Sequence, residues 1–288
     1  MRVRPKGGSV AGIKIISDSA CDVPKDLVET LAITVIPLSI RFGTEEYVDQ
    51  VDLTPAQFWA KCSSSSTLPE TAAPSPGAFQ EAFQEAKDAG YDGVVCLTLS
   101  SDLSATYQAA LAAGESMAPY PVAVIDSRAV TLAQGLLVID AAERALAGDD
   151  FDAIVAAMMS NIERTHVTGA LDTLEHLKKG GRVGGAQALL GSVLNIKPLL
   201  ELRDGKVAEA GRQRTRAKAL RHVAEVARQN APFARFGLVH GSAEDFQVLL
   251  DQVSDIECDT PIVVSEMGSV VGTHGGPGIV GLCWIQRG

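Results

Sequence analysis

Val94-Val95-Cys96-Leu97-Thr98-Leu99-Ser100-Ser101-Asp102-Leu103-Ser104-Ala105-Thr106-Tyr107 is an apolar run that breaks into small hydroxyl residues and then into a helical pattern. The β-rich part, Val94 to Leu99, reads as a buried strand, and a helix is expected from about Ser104. Free N–H groups in the first turn of such a helix, with the positive end of its dipole, form a ready anion site. The same motif recurs on both sides. Upstream, strand Ile13 to Ser17 leads to a helix opened by Pro24, a strand Ile33 to Ile40, an irregular stretch ending in Ser63 to Ser66, and a helix after Pro76. Downstream come a strand, Val122 to Ile125, and a long alanine-rich helical region, Val130 to Ala147. Strands alternating with helices predict a parallel sheet covered on both faces, a three-layer α/β domain. In such sheets ligands bind beyond the carboxyl ends of the strands.

After Gly148-Asp149-Asp150 and a further helix the pattern shifts to shorter strands. Asp204-Gly205, between Leu199 to Leu202 and Val207-Ala208, reads as a hairpin turn. A helix from Thr215 to Gln229, a strand Phe236 to Val239, a helix from Glu244 to Val253 and strands Ile262 to Ser265 and Ile279 to Ile285 complete an α+β unit. The expected organisation is therefore an N-terminal α/β domain over residues 12–160 and a C-terminal α+β domain over 161–288.

Composition narrows the function classes. The chain has 288 residues, 46% of them apolar, enough to fill real cores. No apolar run approaches the length needed to span a bilayer, and the start, Met1 to Ser9, lacks the apolar stretch of an export signal. Five scattered cysteines without paired spacing suit a reducing cytoplasm and form no zinc motif. A formal net charge of −10 argues against nucleic acid as a partner. Arg212, Arg214, Arg216 and Lys218 cluster near a helix start, either as a solvated face or as a docking point for an acidic partner or a phosphate.

Four other segments carry polar groups that could converge. Thr71-Ala72-Ala73-Pro74-Ser75-Pro76-Gly77 leads into the amphipathic helix Ala78 to Ala89, with Ser75 placed to cap it. The hydroxyl-rich segment after Leu99 is the second. Lys178-Lys179-Gly180-Gly181-Arg182-Val183-Gly184-Gly185 exposes an arginine among glycines ahead of the apolar segment Ala188 to Leu200, which lines a pocket or simply fills a core. Gly272-Thr273-His274-Gly275-Gly276-Pro277-Gly278 reads as a loop in which glycines let the main chain approach a ligand and His274 supplies an imidazole. Each segment also has a plain structural reading as cap, turn or core. The chain has no phosphate-binding P-loop, no nucleophile elbow and no metal-ligand spacing. Hydroxyls, amides and one histidine suit holding a carboxylate better than transforming it.

Taken in order, these segments resemble the DegV family of fatty-acid-binding proteins, which includes the binding subunits of bacterial fatty acid kinase. Ile15 to Pro24 resembles the family's Asp-Ser-Thr-x-Asp-Leu-Pro opening, Thr71 to Gly77 its Thr-Ser-Gln-Pro-Ser-Pro-Gly, and Leu99 to Gln108 its serine-rich Leu-Ser-Gly-Thr-Tyr-Gln segment. Gly181-Arg182-Val183, Leu194-Asn195-Ile196-Lys197-Pro198 and Gly272 to Gly278 continue the match nearly end to end. The resemblance implies two domains with a ligand tunnel between them that holds one long-chain fatty acid. Its carboxylate would lie on Thr71, Ser104, Ala105 and His274, with Ser101 and Thr273 as additional candidates. It implies that Arg182 faces a separate ATP-dependent fatty acid kinase subunit, which makes the acyl phosphate. On this reading the chain has no metal or cofactor, catalyses nothing itself and does not insert stably into membranes. Ala72, Ala73, Asp102, Ala105, Gly184 and Gly275 depart from the family pattern, so fewer hydroxyls surround the head group and Asp102 adds a negative charge there. The competing chemical reading is an acyl-ester hydrolase with Ser104 as nucleophile, His274 as base and Asp126 or Asp18 orienting the histidine.

Overall fold

The computed structural model describes residues 12–65, 67–191 and 196–288. Ser66, and Leu194 and Asn195 of the Leu194–Pro198 motif, lie outside the described residues. The first half of the chain runs β1 (Ile13–Asp18), α1 (Lys25–Thr30), β2 (Thr34–Ile36), β3 (Ser39–Phe42), β4 (Glu45–Val48), α2 (Pro55–Ser64), β5 (Glu70–Ala72), α3 (Pro76–Asp88), β6 (Gly93–Thr98), α4 (Thr106–Ser116), β7 (Val122–Asp126), α5 (Leu132–Ala147) and α6 (Phe151–Ile162). The second runs β8 (Thr165–Ala170), α7 (Glu175–Lys179), β9 (Lys197–Arg203), β10 (Lys206–Gln213), α8 (Arg216–Asn230), β11 (Phe233–His240), α9 (Phe246–Val253), β12 (Val263–Glu266), α10 (Ser269–Gly275) and β13 (Val280–Gln286).

The fold is α/β, with a parallel sheet and a mixed sheet. The parallel sheet has the order β2-β1-β6-β7, and the six-stranded mixed sheet the order β10-β9-β8-β13-β11-β12. On the parallel sheet, β1 and β6 are buried on both faces, and β6 reads as a nearly continuous apolar run. One face packs Ile16, Val94 and Cys96 against Phe79 and Phe83 of α3 and Ala110 and Ala113 of α4. Helix α3 forms as its sequence demands: Ser75 accepts from the Ala78 amide, Pro76 occupies the first turn, and Phe79, Ala82, Phe83 and Ala86 fall on one buried stripe.

The other face meets α5, which also touches the mixed sheet. Every residue of α5 from Leu132 to Ala142 is buried. One core holds Ile15, Val95 and Leu97 of the parallel sheet together with Val239, Cys283 and Ile285 of the mixed sheet, and α5 contributes to both sides. A helix that is apolar all round is stable only when enclosed in this way. Alternation along the strands sends the neighbours Leu238, Leu282 and Trp284 to the opposite face of the mixed sheet, against α8 and α9. The two polar residues inside α5 are both bonded to neighbours: Gln134 donates to the Ser17 hydroxyl, and Asp140 accepts from Arg235, Arg144 and Asn161.

Two expectations require correction. Ile33 to Ile40 is not one strand, because Pro37 cannot donate to a ladder: β2 ends at Ile36, and β3 belongs to a separate antiparallel sheet of order β4-β3-β5. The supposedly irregular stretch holds β4 and α2, the latter started by a capping box in which Thr54 and Gln57 bond each other's amides. The Asp204-Gly205 turn is as expected, with both residues at positive φ (52° and 78°), the geometry of a two-residue hairpin.

Asp140 and Arg235 couple α5 to β11 with side chains only 13% and 11% exposed. Asp140→Ala leaves the Arg235 guanidinium with Glu143 alone and takes the shared carboxylate from Arg144 and Asn161, and is expected to destabilise the fold by about 3 kcal/mol, read from the denaturant midpoint. The double variant Asp140→Ala/Arg235→Met should recover part of that loss.

Candidate functional site

A cavity of about 250 Å³ lies between the carboxyl ends of the parallel strands and the inner face of the mixed sheet. Its mouth is bordered by the partly exposed Thr71 and Ser104 and the exposed Ala105 and Arg182. Its closed end is formed by Val239, Met267, Thr131 and Val270, each less than 5% exposed. The walls are mainly aliphatic, with Thr71, Ser104, Arg182 and His274 at the mouth; of the other polar lining residues, Glu201 lies on β9 and Thr131 turns its hydroxyl to Asp22, a distribution that suits an apolar ligand with one polar end.

Thr71 is held in β5, where it pairs with Ile40 of β3. Its hydroxyl lies 2.9 Å from His274 Nε2. His274 does not sit in a loop, as its glycine-rich surroundings suggest, but in the last turn of α10. The glycines serve packing there. A Cβ on Gly272 would stand 2.8 Å from the Trp59 ring and 2.9 Å from the Phe58 ring, so only glycine lets α10 lie against α2. Gly276, at φ 78°, ends the helix. Gly180 completes the arrangement from α7's end: a Cβ there would fall 2.3 Å from His274 Nδ1, so glycine makes room for the ring.

The imidazole is partly buried, and its enclosed Nδ1 has no hydrogen-bond partner among the described residues. Burial, with Arg182 and His176 nearby, pushes its pKa down to about 4, so the ring is neutral at pH 7. In the tautomer whose Nε2–H donates to Thr71, the Thr71 hydroxyl is left free to donate to an anion at the mouth.

Ser104 precedes α4. Its hydroxyl contacts Thr106 Oγ1 at 2.9 Å and accepts from the Thr106 amide. Ala105 is the residue that caps the helix, without a side-chain bond. Arg182 spans the mouth: Nε donates to the Leu103 carbonyl at 3.1 Å and Nη1 to the Gly180 carbonyl at 2.6 Å. It therefore ties the loop after β6 to the loop after α7.

Ser101 and Thr273 do not border the cavity. The Ser101 amide donates to Asp126, and the buried Thr273 hydroxyl donates to the Ser269 carbonyl inside α10. The charge of Asp102 is drawn 3.4 Å from Lys206, on the hairpin, and Asp102 too is not part of the cavity wall. Ser100 donates to the Gly205 carbonyl, so part of the hydroxyl-rich loop docks the β9–β10 turn instead of holding an anion. The arginine cluster does not present four free charges either, since Arg216 makes two bonds to Asp245. The carboxylates proposed to orient the histidine are occupied by main-chain amides: Asp18 accepts from Ala20 and Leu99, and Asp126 from Ser101 and Arg128. Neither bonds His274 among the described residues.

Sequence reasoning passed over Gly180 and Thr131. Thr131 lies at the closed end with φ 55° and donates to Asp22 at 2.6 Å. Asp22 also accepts from the Gly268 amide, joining β1's end to the start of α10, and burial lifts its pKa to about 8. Its signal was the Asp-x-Pro end of the opening motif.

The DegV family model, described as "Uncharacterised protein, DegV family", matches residues 12–287. The chain belongs to the DegV family. It is 35% identical over 275 residues to a DegV domain-containing protein of Deinococcus radiodurans, covering 94% of this chain and 97% of that one. A counterpart in Streptomyces coelicolor is 34% identical over 279 residues, covering 96% and 99%. Among solved structures, a DegV family protein from Thermus thermophilus, described by its fatty acid binding, superposes with a TM-score of 0.89 at 33% identity, covering 96% of this chain and 100% of that one. DegV of Bacillus subtilis, described as a fatty acid binding protein, gives 0.82 at 30% identity, covering 96% and 99%.

In the unfolded chain His274 takes up its proton near pH 6.5 and in the folded one only near 4, so the ring's contribution to stability is full above pH 6.5 and is lost as pH falls towards 4. Wild type should therefore lose about 1–3 kcal/mol relative to His274→Gln across that window, measured by denaturant unfolding of both proteins at a series of pH values.

Proposed function

We propose that this protein binds one long-chain fatty acid in the cavity, with the carboxylate at Thr71, Ser104 and His274 and the acyl chain running inward. The observation that carries this reading is the cavity itself: a mainly aliphatic interior with Thr71 and His274 meeting at the mouth beside Ser104 and Arg182. DegV relatives of 33% and 30% identity described as binding fatty acids support it. Burying a chain at about 0.8 kcal/mol per methylene supplies affinity, provided the carboxylate keeps its hydrogen bonds.

On this reading the chain presents its ligand and performs no chemistry. The carboxylate lies beside Arg182, whose exposed guanidinium at the mouth faces a separate ATP-dependent kinase that makes the acyl phosphate. Residues 12–160 and 161–288 act as two domains that close on the ligand. The site of action is the cytoplasm, in keeping with five cysteines that are all free. No helix among the described residues is long and apolar enough to cross a membrane.

Denaturing extraction of purified protein, followed by mass spectrometry, should release fatty acid in about equimolar amount. Protein that is empty and also refuses added palmitate and oleate would disprove the proposal. Thr71→Val and His274→Gln should each weaken binding about tenfold, the loss of one hydrogen bond to a charged group. Purified protein should give no burst of product from an activated acyl ester; a burst abolished by Ser104→Ala would establish the hydrolase instead.

A further inference from the structure

The strand register allows the cavity floor to be followed row by row. Gly169 on β8 pairs with Leu200 on β9 and with Gly281 on β13, and Gly281 pairs with Val239 on β11. All four border the cavity. The row therefore reads Leu-Gly-Gly-Val across four adjacent strands, about 14 Å from end to end at ordinary strand spacing. Side chains stand at its two ends and none in the middle.

A glycine pair in a sheet has an ordinary explanation, that it lets two strands approach. These two do sit close, since a Cβ on Gly169 would lie 3.0 Å from the Val280 carbonyl and one on Gly281 2.9 Å from that of Thr168. That explanation does not account for what faces them. One row along, Val167, Cys283 and Gly237 lie side by side, and there the space over Gly237 is filled by Leu132 of α5, whose Cδ2 would be 2.5 Å from an added Cβ. Over Gly169 and Gly281 the three nearest atoms are all backbone of the paired strand. The layer that plugs the gap at Gly237 leaves the gap at Gly169 and Gly281 open, and the cavity runs through it.

We infer that the Gly169–Gly281 pair is a seat for the acyl chain, a trough between Leu200 and Val239 whose depth determines how far a straight chain can extend into the protein. The inference rests on the fatty-acid reading of the cavity and adds to it the residues that set chain selection. A methyl group raised from the trough floor would lift the chain off the sheet or stop it short. A chain that ends before the trough would be unaffected.

The test is a binding series with octanoate, laurate, palmitate and stearate on delipidated full-length protein. In wild type, affinity should rise by up to about fourfold for each added methylene along the series. Gly169→Ala should leave octanoate binding little changed and weaken stearate about tenfold or more, so that the rise levels off partway. Because that alanine also presses on β13, Val239→Leu serves as a second variant, narrowing the trough from its flank without altering the spacing of β8 and β13. Unchanged stearate affinity in whichever variant keeps the wild-type melting temperature overturns the inference. Wild type that binds no acid of the series overturns the fatty-acid reading, and this inference with it, and is distinguishable because it requires no variant.

Discussion

Enclosure of α5 between two sheets is the constraint on which the rest of the structure depends. Eleven consecutive residues, Leu132 to Ala142, are buried, so the helix has no face it can give to water. The parallel sheet takes one side and the mixed sheet the other, and this forces two units that pair their strands separately to share one core. Close approach is built in at Gly135, where a Cβ would stand 2.4 Å from the Cys21 carbonyl. The polar exceptions, Gln134 and Asp140, are each bonded to a different layer and so fix the helix's rotation as well as its place.

The cavity follows from where that enclosure stops. Beyond the start of α5 the space between the strand ends of the parallel sheet and the inner face of the mixed sheet is bounded by the loops after β6 and β7, by β5 and by α7 and α10. Leu132, in the first turn of α5, fills the row at Gly237. The next row, at Gly169 and Gly281, has no such filling. The mouth is then drawn together by Arg182 to Leu103, Ser100 to Gly205 and Lys206 to Asp102, three contacts that cross between the halves of the chain. Much of the polarity near the opening is thereby spent on assembly, which leaves Thr71 and His274 as the pair best placed to meet an anion.

Much of this could be read in the residues. The β-rich run Val94 to Leu99, the cap at Ser75-Pro76 and the Asp204-Gly205 turn act locally, through burial pattern, side-chain capping and positive φ, and each formed where expected. The helix at His274 was not legible, because Val270, Val271, Gly272 and Gly275 have poor intrinsic preference for it. What stabilises α10 is the flat packing of Phe58 and Trp59 on Gly272, a contact between residues more than two hundred positions apart. Ser101 and Thr273 carried the right atoms in the right motifs but do not line the cavity, and the Thr273 hydroxyl is bonded to the Ser269 carbonyl.

The sequence by itself determined the alternation of strands and helices, the burial of β1 and β6, the ordered series of family motifs and the short set of hydroxyls and one histidine from which a carboxylate site could be made. Tertiary structure alone decided which of those groups meet. Thr71 and His274 are 203 residues apart and come within 2.9 Å because β5 and α10 pack on the same side of the cavity. The acidity of that histidine was equally beyond reach of the sequence. It depends on how much water the packed layers exclude and on which charges they leave nearby, quantities that exist only once the chain is folded.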